Sequence, residues 1–214
     1  MRSFNLKRKK ILITAGPTWV PIDKVRVISN IASGETGIRL AQEALRRGAK
    51  PTLLLGPVGS VQLPSGICLK RFSYFNELAR LVRRELTQKR YDIVIHSAAV
   101  SDYQPKKKFY KKLRSTIENF TLEFETTTKI ADKIKRYDPK VVLVIFKLEL
   151  NMAPAQMMRR ARKTMQESGA DLCVLNTFSR RFAYRAYIID GRRTLCSVRS
   201  KEALVECLLG RDFL

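Results

Sequence analysis

Ser33-Gly34-Glu35-Thr36-Gly37 puts two glycines where a helical apolar pattern begins. A helix start with free backbone N–H groups and a positive dipole end suits an anion. A plain cap and turn is the competing role for the same residues. Upstream, Ile11-Leu12-Ile13-Thr14 runs into Ala15-Gly16-Pro17-Thr18, the pattern of a buried strand closed by a turn. That turn lacks the G-x-G-x-x-G spacing that seats a pyrophosphate directly after a first strand. The second strand also ends in Gly56-Pro57, where a ribose-binding acid would stand. An ordinary dinucleotide site, and with it an NAD-dependent oxidoreductase, is therefore disfavoured. Cys68, Cys173, Cys196 and Cys207 form no C-x-x-C pair and His96 is the one histidine, so no metal site is expected. The cysteines read as four reduced thiols.

The elements that must position these residues alternate. Strands are expected at 11–14, 52–55, 67–72, 92–99, 141–148 and 172–175, with alternation at Phe120, Leu122 and Phe124 marking another. Helices are expected at 36–47, with Ser33 as cap and Gly48 as stop, and at 77–89, 129–137 and 154–167. On the last of these Met158, Ala161 and Met165 fall toward the core, leaving Arg159, Arg160, Arg162 and Lys163 on other faces. Strands at 183–189 and 194–198, joined through Asp190-Gly191, read as a hairpin before a helix over 202–209 capped by Ser200. The lysine-rich stretch 103–115 reads as a mobile surface segment. The whole predicts an α/β, Rossmann-like fold: a mostly parallel sheet with helices on both faces, plus a C-terminal β-hairpin and helix. Ligands of such sheets bind beyond the carboxyl ends of the strands, where Gly16, Ala98 to Asp102, Phe146 to Glu149 and Asn176 are expected.

A chain of 214 residues, 45% hydrophobic, suits one core, so a single domain over 1–214 is expected. Its most apolar runs fall well short of the roughly 20 residues of a membrane span. The basic start carries no apolar core or cleavage site of a secretory leader, and a cytoplasmic protein without membrane contact is expected. Lys+Arg of 42 against Asp+Glu of 19 leaves a net charge of +23, which attracts any polyanion.

The stretches ITAGPT, PID-VR-ISN, SG--G and AAVSDY, in this order between Ile11 and Asn176, resemble the phosphopantothenoylcysteine synthetase family. The resemblance implies a nucleoside-triphosphate-dependent ligation of L-cysteine to 4'-phosphopantothenate through an acyl nucleotidylate, in coenzyme A biosynthesis. It implies Asn30 as the amide that stabilises the acyl nucleotidylate, and Arg26, Asn30, Gly34 and Gly37 as substrate-binding residues. Arg26 would clamp a phosphate or carboxylate, with an ion pair to Asp23 as the competing role. Gly16, Ala98, Asp102, Phe146, Lys147, Lys163 and Asn176 are implied on the nucleotide side. For Asp102 and Asn176 a turn role competes.

KKLRS resembles the family's K-I-K-K flap motif and makes Lys112 catalytic and nucleotide-binding, with Arg114 next to it. Without that match these lysines would read as a solvated surface. The family implies magnesium with ATP or CTP as co-substrate, no flavin and a homodimer. FKLE and RARK resemble the eukaryotic-type synthetases and leave ATP open beside the CTP of the bacterial pattern. Because the chain opens almost at the first strand, a single-activity enzyme beside a separate flavin-dependent decarboxylase is expected. Two stretches depart from the family: ASGETG has Glu35 in place of a lysine, and Thr127-Thr128-Lys129-Ile130 stands for N-P-D-I. His96 reads as structural, since the chemistry asks for no base there. The alternative is a degenerate synthetase fold that binds RNA or nucleotides without ligase activity, although no RNP-type signature is present and only non-specific nucleic-acid binding is expected.

Overall fold

β1 (Lys10–Ala15) is buried from Ile11 to Ala15, the profile of a strand with neighbours on both edges and layers on both faces. The computed structural model describes residues 5–107, 109–114, 119–178 and 183–210. β1 pairs in parallel with β4 (Lys50–Leu55) on one side and β6 (Ile93–His96) on the other. Beyond β4 lies β5 (Cys68–Arg71), and beyond β6 lie β9 (Val142–Leu148) and β10 (Leu172–Phe178), all parallel. β11 (Tyr184–Ile189) and β12 (Thr194–Val198) add an antiparallel hairpin, giving the order β12-β11-β10-β9-β6-β1-β4-β5. The sheet is the mostly parallel one that the strand–helix alternation predicts.

Each face has its own apolar cluster. Ile11, Ile13, Leu53, Ile93 and Val144 pack with α1 (Glu35–Arg46) and α5 (Lys201–Gly210) on one face. Leu12, Leu54, Val94, Leu143 and Cys173 pack with α2 (Phe75–Gln88), α3 (Ala131–Tyr137) and α4 (Pro154–Ser168) on the other. Two small antiparallel pairs stand apart from the main sheet: β2 (Trp19–Pro21) with β3 (Val27–Ser29), and β7 (Tyr103–Pro105) with β8 (Phe124–Thr126).

Four expectations need correction. α1 is capped by Gly34 in the left-handed region at φ 71°, not by Ser33, whose Oγ accepts only a 3.4 Å bond from the Glu35 N–H. The start of the lysine-rich stretch is β7, because main-chain pairing with β8 and a Gln104–Glu125 side-chain bond of 2.8 Å need no apolar residues. Of the alternating Phe120, Leu122 and Phe124, only Phe124 lies in a strand, since the pairing with β7 reaches no further back than this residue. Cys196 and Cys207 form a disulfide between β12 and α5, leaving Cys68 and Cys173 as free thiols. Residues 11 apart in sequence are brought together there because β12 and α5 are consecutive elements packed on one another. Among the described residues no helix is long and apolar enough to cross a membrane.

Candidate functional site

β1 continues to β4 on one side while β6 lies on the other, so the chain direction across the sheet switches between β1 and β6. Parallel sheets open a crevice at the carboxyl ends of the strands at such a point. Thr14 Oγ1 lies 2.9 Å from His96 Nδ1 and accepts a 3.2 Å bond from the Ala98 N–H. The Ser97 hydroxyl donates to the Thr14 carbonyl at 2.7 Å. Beyond the strands, Ala99 N–H donates to Gly16 O at 2.9 Å and Thr18 N–H to Ala99 O at 3.3 Å. Thr18 Oγ1 then receives the Ser101 N–H at 3.0 Å. These bonds hold 97–101 as a ledge along the turn at Gly16. Burial lowers the His96 pKa to about 4, so the imidazole is neutral at ordinary pH and serves to hold the ledge.

Asn30 reaches this ledge from the loop after β3. Its Nδ2 donates to Ala99 O at 3.1 Å and Val100 O at 3.4 Å, while the residue itself stays exposed. The start of α1 closes the other side. Gly16, at φ 79°, and Gly34 approach so closely that a Cβ on Gly34 would lie 3.2 Å from Gly16 N. A Cβ on Gly37 would lie 2.4 Å from Ala15 Cβ and 2.9 Å from Ser97 Oγ. The glycines thus let the helix start sit directly on the β1 and β6 ends. Gly16, Asn30, Gly34, Gly37 and Ala98 are brought together as the motif order implies.

Arg26 and Lys112 are joined by a residue whose wider part the sequence did not reveal. Asp23 is buried and accepts from the Val25 and Arg26 N–H groups at 2.8 Å each, and from Leu113 N–H at 3.0 Å. Arg26 Nη1 lies 3.0 Å from Asp23 Oδ2 and 3.5 Å from Leu113 O. The ion pair weighed against a ligand role for Arg26 is therefore formed, and its guanidinium remains half exposed. Asp23 fastens the main chain beside Lys112 and Arg114 to the Arg26 turn. The hydrogen bond from Leu113, followed by that from Val25, holds the Asp23 carboxyl below the ordinary aspartate range against the opposing effect of burial. The D-x-x-R spacing marks the local turn, but nothing local marks a partner at Leu113. Ser115 of KKLRS lies outside the described residues.

A second group sits farther along the same sheet end. Phe146 is half-buried against the α1 and α5 face. Glu149 is buried, 3.5 Å from Lys147 Nζ and 3.3 Å from Arg160 Nη1, and its N–H donates to Asn176 O at 3.0 Å. Asn176 lies within β10, not in a turn beyond it, and its Oδ1 accepts from Tyr184 OH at 2.9 Å. An open cleft of about 950 Å³ between the loop at Asn151 and β11 adjoins this group through Tyr184 and Thr177 without touching the glycine cluster. Lys163 is exposed on α4 and lies 3.8 Å from Glu167. Asp102 is exposed, and its carbonyl accepts from Thr127 N–H at 2.9 Å. Thr127 Oγ1 donates to Ser101 O at 2.8 Å, so the departing 127–130 stretch braces the ledge. Among the described residues no three metal-binding side chains cluster. A magnesium ion here would be held largely by the phosphates of a nucleotide, as magnesium commonly is.

The description that fits this chain over residues 6–191 is the DNA/pantothenate metabolism flavoprotein C-terminal domain. The chain is 37% identical, over 81% of its length, to the coenzyme A biosynthesis bifunctional protein CoaBC of Thermococcus kodakarensis, of which it spans 42%. It superposes on the crystal structure of the DNA/pantothenate metabolism flavoprotein from Streptococcus pneumoniae with a TM-score of 0.83 at 26% identity, covering 94% of this chain and 96% of that one. The C-terminal domain of CoaBC gives a TM-score of 0.74 at 26% identity, covering 96% and 95%. Motif order, sheet topology and these likenesses agree, and the chain belongs to the family of the DNA/pantothenate metabolism flavoprotein C-terminal domain, the synthetase-type family its motifs resemble.

Proposed function

We propose that this chain is a phosphopantothenate–cysteine ligase that consumes a nucleoside triphosphate. Family membership supports the reaction class, and the observation that carries the reading is Asn30, bonded across the crevice to Ala99 and Val100 beside the glycine-packed start of α1. In the first step a 4'-phosphopantothenate carboxylate oxygen attacks the α-phosphorus of ATP or CTP. An O–P bond forms and pyrophosphate leaves. In the second step the cysteine amine attacks the acyl carbon, a C–N bond forms, and the nucleoside monophosphate departs as the amine loses a proton.

Charge gathers on phosphate oxygens in the first step and on the acyl oxygen in the second, so fixed donors and cations do most of the work. Asn30 orients the acyl nucleotidylate. Lys112 approaches the α-phosphate from the segment clasped at Leu113, and Arg26 directs its free guanidinium edge to a phosphate or carboxylate. Gly16, Gly34 and Gly37 open backbone N–H groups to an anion. Ala98 and Asp102 border the nucleoside. Phe146, Lys147, Lys163 and Asn176 extend that side, although Lys147 must exchange its Glu149 contact for a phosphate. Magnesium carried by the triphosphate would supply positive charge to the phosphate oxygens, beside which Lys112 and Arg26 are placed. No flavin is used. A homodimer in the cytoplasm, whose product goes on to a flavin-dependent decarboxylase, completes the proposal.

The test is pyrophosphate release with 4'-phosphopantothenate, cysteine, magnesium and either ATP or CTP. The native chain is expected to turn over with at least one nucleotide. Asn30→Ala is expected to fold normally, bind nucleotide and lose roughly 10²-fold in turnover, the scale of losing one preorganised polar group beside the reacting centre. Near-native turnover by that variant would refute the role of Asn30.

A further inference from the structure

Glu35 is the one acidic residue in the first turn of α1, beside the glycines proposed to seat a phosphate. A carboxylate is favourable at a helix N-terminus in isolation but competes there with any incoming anion. It is not left alone. Lys201, the first residue of α5, pairs with Glu35 Oε2, and Arg39, one turn along α1, pairs with Oε1 at 2.9 Å. Arg39 also reaches Glu202 at 2.9 Å, so two cations and two anions alternate between the helices and sum to zero charge. The hydrogen bond from Lys201, followed by that from Arg39, keeps the Glu35 carboxyl below its ordinary range although burial opposes this. Lys201 itself is fixed where α5 begins. Ser200 caps that helix, its Oγ accepting the Ala203 N–H at 3.1 Å and its carbonyl the Leu204 N–H at 3.1 Å.

We infer that Lys201 is a positioning residue for the phosphate seat at the start of α1: it holds and neutralises Glu35, so that the glycine N–H groups meet an anionic substrate without a competing carboxylate. This rests on the proposed ligase site, but it names a contribution from the C-terminal helix, 166 residues away in sequence. The ligand chemistry is a phosphate group, carried either by the nucleotide or by 4'-phosphopantothenate. Lys201 touches neither.

The experiment compares the native chain with Lys201→Met, Glu35→Gln and the double variant. Titration calorimetry measures Kd for ATP, CTP and 4'-phosphopantothenate separately at low and moderate salt, and steady-state assays give KM and kcat. Lys201→Met is expected to weaken binding of one phosphate-bearing ligand roughly three- to five-fold, with kcat changed less than about two-fold, the range of one charge at a helix end. Glu35→Gln is expected to tighten the same ligand. The double variant should return to near the native value, because the carboxylate and the lysine that offsets it are both gone. The ligand that responds identifies whose phosphate occupies the seat. If no Kd moves in Lys201→Met, or if the double variant is as impaired as the single, the inference is overturned and the cluster only joins α1 to α5. Should Lys201→Met fail to fold, the sign of the Glu35→Gln effect decides: tighter binding supports the inference, and unchanged or weaker binding rejects it. Absence of turnover in the native chain would refute the ligase reading, whereas the calorimetric comparison stands without turnover.

Discussion

Asp23 shows how one carboxylate can set the place of a distant segment. Its Oδ1 accepts from the Val25 and Arg26 N–H groups and shapes the turn, whereas Oδ2 accepts from Leu113 N–H and faces Arg26 Nη1. Asp23→Asn separates these duties, because the amide keeps one acceptor for the turn and replaces the other with a group that cannot accept. The variant is expected to keep the β2–β3 turn, speed amide hydrogen exchange at Leu113 and lower kcat more than it raises KM for either substrate. Slow exchange at Leu113 in that variant would show that the clasp is not what holds the segment. The pH dependence has a definite sign. A carboxyl whose folded-state pKa is depressed contributes stability that is present above its unfolded pKa and lost as pH falls through the folded value. The clasp is therefore intact at neutral pH, and Leu113 exchange in the native chain should accelerate only when pH drops below the ordinary aspartate range.

At the scale of elements, the start of α1 depends on a missing side chain. A Cβ at Gly37 would lie 2.4 Å from Ala15 Cβ, a separation that requires α1 to move away from β1. Gly37→Ala is expected to cost about 1–3 kcal/mol by overpacking, despite the better helix propensity of alanine. Denaturant unfolding measures that loss, and an unchanged midpoint would mean that the helix shifts freely. That a helix starts at Gly34 and Gly37 was legible in the sequence, although a plain cap and an anion seat both suited the pair there. The parallel strands were legible as well, since Ile11–Ile13 and Leu53–Leu55 are buried on both faces and read as unbroken apolar runs. β2, β3 and β7 were not. Their residues are mostly exposed or half-buried, so main-chain pairing leaves no apolar period to read. Lys201 was equally hidden: its partner Glu35 comes close only after α1 and α5 pack on the same face of the sheet.

The whole molecule carries a net charge of +23, and its cations outnumber every possible acidic partner. Arg80, Arg83 and Arg84 on α2 and Arg159, Arg162 and Lys163 on α4 are exposed, and both helices cover the same face of the sheet. Such a field raises the local concentration of nucleotide and phosphopantothenate, but it draws RNA by the same Coulomb attraction. An enzyme and a nucleic-acid binder on this fold differ in where the cations matter. For the enzyme, neutralising Lys7, Arg8, Lys9 and Lys10, at the amino end of β1 and away from the crevice, should leave KM and kcat nearly unchanged. A nucleic-acid binder engages many phosphates at once, and the slope of log K against log salt is about −0.7 per phosphate on a single strand. Single-stranded RNA is expected to bind this chain weakly, without sequence preference, and to be released near physiological salt, because surface charge of this size attracts any polyanion without shaping a site for it. Fluorescence anisotropy with labelled homopolymer and mixed-sequence RNA over a salt series measures both slope and selectivity. Tight, sequence-selective binding that survives physiological salt, together with no pyrophosphate release from ATP or CTP, would assign the charge to RNA and leave the crevice at β1 and β6 as an inherited shape without its chemistry.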